Sequence, residues 1–196
     1  TPIVEKITDI DYSIVDNTGA DFVIMTNEDA PNKKVLGYNT TTKKWKTLIP
    51  EAKEPLQFVS AAGGKLFVGY MKDVCSKVFV YDYNGKLENE IELPGLGNVG
   101  GFGGERKDKT TFYTYTSFTS PSTIYEYDIM TKKSKVYRKS EIDFKADNYV
   151  TKQVFYPSKD GTQIPMFIVM KKGTQMNGKN PTLLYGYGGF NISLNP

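Results

Sequence analysis

The 196 residues carry 25 Lys and Arg against 22 Asp and Glu, a net charge of +3 that singles out no class of partner. There is no histidine and Cys75 is the only cysteine, which excludes an internal disulfide, a cysteine-based zinc site and every catalytic relay built on an imidazole within these residues. An apolar fraction of 39% with 13% aromatics is enough for a sizeable core, and no motif asks for a cofactor.

No apolar run approaches the ~20 residues of a membrane span, and no signal pattern opens the chain. The pairs Lys43-Lys44, Lys132-Lys133 and Lys171-Lys172 read as solvated turns, so neither a nucleic acid nor a membrane is an expected partner. The sequence opens on Thr1 and stops in mid-pattern, and it reads as an excerpt of a longer protein.

Strand-like runs fill the first 140 residues, and they repeat. "VLGYNTTTKKWKTL" from Val35, "VFVYDYNGKLENEI" from Val78 and "IYEYDIMTKKSKVY" from Ile124 share one order. Each has a β-branched residue, a tyrosine three positions on, then Asn or Asp, a polar turn and a second alternating run. The tyrosines are Tyr38, Tyr81 and Tyr127, spaced 43 and 46 residues apart. Upstream of each lies a further run, at 21–27, 65–71 and 110–118. Asn84-Gly85 is a strong hairpin turn, and no stretch here has a helical period.

A unit of this length made of about four short strands is the size of a β-propeller blade. An open β-sandwich is the alternative. Three copies cannot close a ring, which predicts exposed edges and pairing with another copy or poor solubility. "GLGNVG" at 95–100 fits a dinucleotide fingerprint, but Pro94 before it and "GFGGERKDK" after it deny it a helix, so it reads as a loop between blades. "SFTSPST" at 117–123 reads as a long hairpin turn.

Near residue 142 the character changes, with a domain boundary expected between about 140 and 148. Residues 149–172 predict two strands joined at Lys159-Asp160-Gly161. Thr182–Tyr185 predicts a short apolar strand of the kind covered on both faces in an α/β sheet. That strand runs into "YGYGGF". Glycines let a backbone approach a substrate, and a tyrosine hydroxyl can donate to a developing oxyanion. The loop alone fits this and a tight packing turn equally well.

"QVFYPSKDGTQIPMFIVMKKG" followed by "LLYGYGGFNIS" resembles the start of the catalytic domain of the prolyl oligopeptidase family. The preceding repeats resemble the last three blades of its seven-bladed propeller, with "WKTLIP" and "YTSFTSP" similar to propeller segments. The resemblance covers essentially the whole chain. It implies a mainly β chain: propeller blades over 1–142, then over 143–196 the first strands of an α/β-hydrolase domain.

The implied activity is that of a serine peptidase cleaving short peptides after proline. Tyr187 would be the oxyanion-hole phenol and Phe190 a wall of the proline pocket, with Tyr185 and Asn191 supporting the loop. The propeller would act as a lid, and the partners would be short proline-containing peptides and the rest of the parent polypeptide. The Ser-Asp-His triad of this fold is missing, so these residues alone are expected to be inactive. A related oligopeptidase with another pocket preference, or a propeller serving only as a binding scaffold, are the competing readings. Cytoplasm and periplasm both stay open, the cytoplasm slightly favoured.

Overall fold

The computed structural model describes residues 2–4, 9–190 and 192–196. Fourteen strands are present among them. The first sheet is β1 (Tyr12–Thr18), β2 (Asp21–Thr26), β3 (Lys34–Asn39) and β4 (Lys44–Ile49). The second is β5 (Leu56–Ala62), β6 (Lys65–Lys72), β7 (Cys75–Tyr81) and β8 (Leu87–Ile91). The third is β9 (Asn98–Gly101), β10 (Thr110–Ser117), β11 (Ser120–Asp128) and β12 (Lys133–Lys139). Each is antiparallel, with strands in sequence order. One 3-10 turn, Ala146–Asn148, then leads into a separate hairpin of β13 (Tyr149–Pro157) and β14 (Gln163–Lys171).

The repeat seen in the sequence is this sheet. Tyr38, Tyr81 and Tyr127 fall on β3, β7 and β11, the third strand of each copy. The Asn or Asp after each tyrosine caps the turn that follows. Asn39 Oδ1 accepts from the Thr41 and Thr42 amides at 3.0 and 2.8 Å. Asp128 Oδ1 accepts from the Met130 and Thr131 amides at 3.0 and 2.7 Å. Asp82 Oδ1 accepts from those of Asn84 and Lys86 at 2.8 and 2.9 Å. Short polar side chains bond their own backbone in this way, which is why the repeat demands them there.

The cores lie between sheets. Val23, Val35 and Leu48 of the first sheet pack on Leu66, Val68 and Tyr70 of the second. Phe67, Val78 and Val80 of the second pack on Tyr113, Tyr115 and Tyr127 of the third. Covered on both faces, β6 is buried almost without a break, and its sequence is correspondingly a continuous apolar run. Phe102 stacks on Phe67 at 5.2 Å and on Tyr113 at 4.7 Å, and Tyr113 on Tyr125 at 5.2 Å. Such pairs add roughly 0.5–1.5 kcal/mol each beyond their buried area.

Three expectations are corrected. Thr182–Tyr185 forms no strand; Leu183 and Leu184 are 90% and 83% exposed. A central strand needs a ladder on each side, and among the described residues β13 and β14 pair only with each other. The turn at 117–123 is far shorter, since β11 begins at Ser120. Pro121 sits within that strand, tolerated because the ladder shifts register between Tyr115 and Ser117. Of "GLGNVG", only residues 95–97 are loop; Asn98 opens β9.

Cys75 is buried at the start of β7, just after the Asp73-Val74 turn, and burial pushes its thiol up. No helix among the described residues is long and apolar enough to cross a membrane.

Candidate functional site

Two regions bring polar chemistry together, at opposite ends of the sheets. The first is the segment after β14. The hairpin is tied to the end of the sheets that carries the β6–β7 and β10–β11 turns. Gln153 Nε2 donates to the Asp73 carbonyl at 2.5 Å, and Phe167 meets Phe118 at 5.3 Å. Farther along, Asn98 Nδ2 donates to the Pro196 carbonyl at 2.9 Å, so 181–196 returns to the same end.

Within this segment the glycine loop is a turn, closed by the Ile192 amide donating to the Gly189 carbonyl at 3.1 Å. Phe190 stands at φ +53, in the left-handed region that bulky residues rarely adopt. Its ring is 91% exposed. Tyr187 is half exposed, its ring lying over Gly189, where a methyl group would sit 3.8 Å from Cε1. Tyr185 is mostly exposed. The Tyr187 hydroxyl makes no hydrogen bond to any described residue. Asn191, the remaining expected site residue, lies outside the described residues. The structure thus gathers Tyr187 and Phe190 into one loop, the phenyl exposed and the phenol half exposed over Gly189.

The second region is a cavity of about 590 Å³ along β1 and β5, the first strands of the first and second sheets, bordered by residues 103–106. At one end three distant residues meet. Arg106 Nη2 donates to Asp16 Oδ2 at 3.1 Å and to the Asn17 carbonyl at 3.2 Å. Its guanidinium lies over the Tyr83 ring, 4.4 Å from the centroid, and the Tyr83 hydroxyl donates to the same Asp16 oxygen. Burial pushes the Asp16 carboxyl up, but bonds from Tyr83, the Asn17 backbone and Arg106 outweigh it and hold it below the usual carboxylate range. Burial, then the bond to Asp16, pushes the Tyr83 phenol up. No motif marked this cluster in the sequence. Its members stand 67 and 90 residues apart in chain, and only the stacking of sheets unites them.

Residues 1–140 match the family model described as prolyl oligopeptidase, N-terminal β-propeller domain. The chain belongs to the prolyl oligopeptidase family. The prolyl endopeptidase of Elizabethkingia meningoseptica is 47% identical over 191 residues, covering 96% of this chain and 27% of that protein. Among solved structures, one of two prolyl endopeptidases analysed for the role of inter-domain dynamics in catalysis and specificity superposes with a TM-score of 0.86. It is 36% identical over 98% of this chain and 29% of its own. Apo prolyl oligopeptidase B from Galerina marginata gives a TM-score of 0.88 and 31% identity over 99% of this chain and 28% of its own. This family member therefore spans about a quarter of the length of the relatives it matches. Its three antiparallel sheets are sheets of the family's propeller domain.

Proposed function

We propose that this chain is part of a serine endopeptidase that cleaves short peptides on the C-terminal side of proline. In this reading residues 1–142 are the last three blades of a seven-bladed propeller acting as a lid. Residues 143–196 open the α/β-hydrolase domain, and the Ser-Asp-His triad is supplied by parts of the protein outside this sequence. The carrying observation is the 47% identity to a prolyl endopeptidase over 96% of the chain, a span that has to run past the propeller match into β13 and β14.

Tyr187 is the oxyanion donor in this proposal. Its hydroxyl makes no hydrogen bond to any described residue, and half of the side chain is open to solvent. Phe190 is the apolar wall for a proline ring, its left-handed backbone aiming the side chain out of the loop. Tyr185 and Asn191 support that loop. Residues 1–196 alone bind without cleaving, because a hydroxyl nucleophile needs a positioned base and the chain has no histidine.

The test is turnover of a chromogenic Gly-Pro substrate by the longer protein, wild type beside Tyr187→Phe. One lost oxyanion donor is worth about 10²–10³ in kcat with KM little changed. Equal kcat would remove Tyr187 from the mechanism. Turnover of non-prolyl substrates alone would retain the peptidase and discard the proline preference.

A further inference from the structure

The cavity beside Arg106 has a lining that points to a ligand. Residues 13–16 of β1 and 59–62 of β5 border it without a gap. Side chains alternate between the two faces of a strand, so an unbroken run can only border a cavity through the strand's edge. Both strands are the first of their sheets and, among the described residues, have a ladder partner on one side alone.

On β5 the tight turn at Gly63-Gly64 sets Ala62 opposite Lys65. Antiparallel alternation then directs the amide and carbonyl groups of Ala61 and Val59 away from β6, toward the cavity. The chain already uses such edges for polar contacts. Gly104 donates its amide to the Ala61 carbonyl at 3.1 Å, as Arg106 does to that of Asn17.

At the cavity's end Arg106 sits over Tyr83, with one terminal nitrogen carrying both of its bonds. Nε and Nη1 make no hydrogen bond to a described residue. The neighbouring Glu105 is turned onto Lys107 at 3.1 Å. A guanidinium fixed in place with an open donor edge matches a carboxylate, and an open strand edge matches an extended main chain.

We propose that this cavity binds the C-terminal end of a short extended peptide, its main chain pairing with Val59 and with the Ala61 amide, since Gly104 already takes the Ala61 carbonyl, and its terminal carboxylate pairing with Arg106. The site lies at the opposite end of the sheets from β13 and β14. Only the class of ligand, short peptides, rests on the function proposed above.

The test titrates the 196-residue chain with Ala-Val-Ser-Val and with its C-terminal amide, following backbone amide shifts by NMR. The free acid is expected to give saturable shifts at Val59, Ala61 and Arg106, and to bind at least about fivefold more tightly than the amide. Arg106→Gln should erase that difference, and Arg106→Lys, which keeps charge without the fork, should retain part of it. The same acid N-methylated at its two middle residues should bind roughly tenfold more weakly, reading the edge pairing without altering the protein. Equal affinity of acid and amide overturns the carboxylate site. No saturable shift up to about 10 mM, or shifts confined to 181–196, overturns the proposal as a whole. Binding here and kcat at Tyr187 are separate readouts, so either reading can fail alone.

Discussion

Gly85 shows what one residue contributes to this architecture. It stands at φ +84 in the β7–β8 turn, and a methyl group there would lie 2.0 Å from the Leu48 carbonyl oxygen and 2.7 Å from its carbon. Leu48 belongs to β4, so the glycine sets how closely the second sheet approaches the first. Gly85→Ala must separate two backbones as well as accept a left-handed conformation, costing about 1–3 kcal/mol for overpacking and about 1–2 kcal/mol for the backbone. Gly64→Ala is the control: φ is +70 there, with nothing near the added methyl. Urea unfolding is expected to show Gly85→Ala losing roughly twice as much stability as Gly64→Ala, with m unchanged. Equal losses would mean that the approach of the sheets does not depend on this turn. Residue-level roles were readable only where a residue type has few uses. The glycines and tyrosines of 185–190 announce a loop, whereas Arg106 in "GFGGERKDK" looks like any surface charge until Tyr83 and Asp16 are found around it.

Among elements, the turn after each tyrosine strand is built alike three times, once with Asn39 and twice with Asp. The amide bonds from Lys86 and Thr131, the largest causes, hold Asp82 and Asp128 below the usual carboxylate range. A lowered folded pKa stabilises fully above the unfolded value of about 4, and that contribution is lost as pH falls through the folded value. Asp128→Asn keeps the acceptor, as Asn39 already does, and removes the charge. Its thermal midpoint is expected to lie below wild type at pH 7, by the lost contribution of the charge, and to fall less than wild type between pH 4 and pH 2; Asp128→Ala, which loses the acceptor as well, should lie lower than Asp128→Asn at both ends. A variant with Asn as acid-sensitive as wild type would show that the turn is insensitive to its charge. These strands were legible because alternation and turn chemistry are local. The expected strand at 182–185 was not, because an apolar run becomes a strand only where neighbours offer a ladder, and local sequence carries no record of neighbours. Pro121 misled for the related reason that a register shift, invisible in one strand, makes room for it.

Residues 12–139 form three sheets in a row, the middle one covered on both faces and the outer two on one, with the β13–β14 hairpin attached at one end. The uncovered faces carry Ile14 and Trp45 at one end and Phe112 and Tyr137 at the other, all large and exposed. This arrangement followed from the repeat, but the meeting of Asp16, Tyr83 and Arg106 did not, since it depends on how three repeats stack. That meeting bears on the order in which the chain assembles. Among the described residues every ladder joins strands adjacent in sequence, so each sheet closes through short loops and forms early. The Asp16–Arg106 contact closes a loop of 90 residues and has to wait for all three sheets. A bond made after the rate-limiting step slows unfolding and leaves folding alone. In stopped-flow urea jumps Arg106→Gln should therefore steepen no limb and shift only the unfolding one upward. A slower refolding limb instead would place this contact in the nucleus. If the first holds, the ion pair sets how long the assembled sheets last rather than how fast they form.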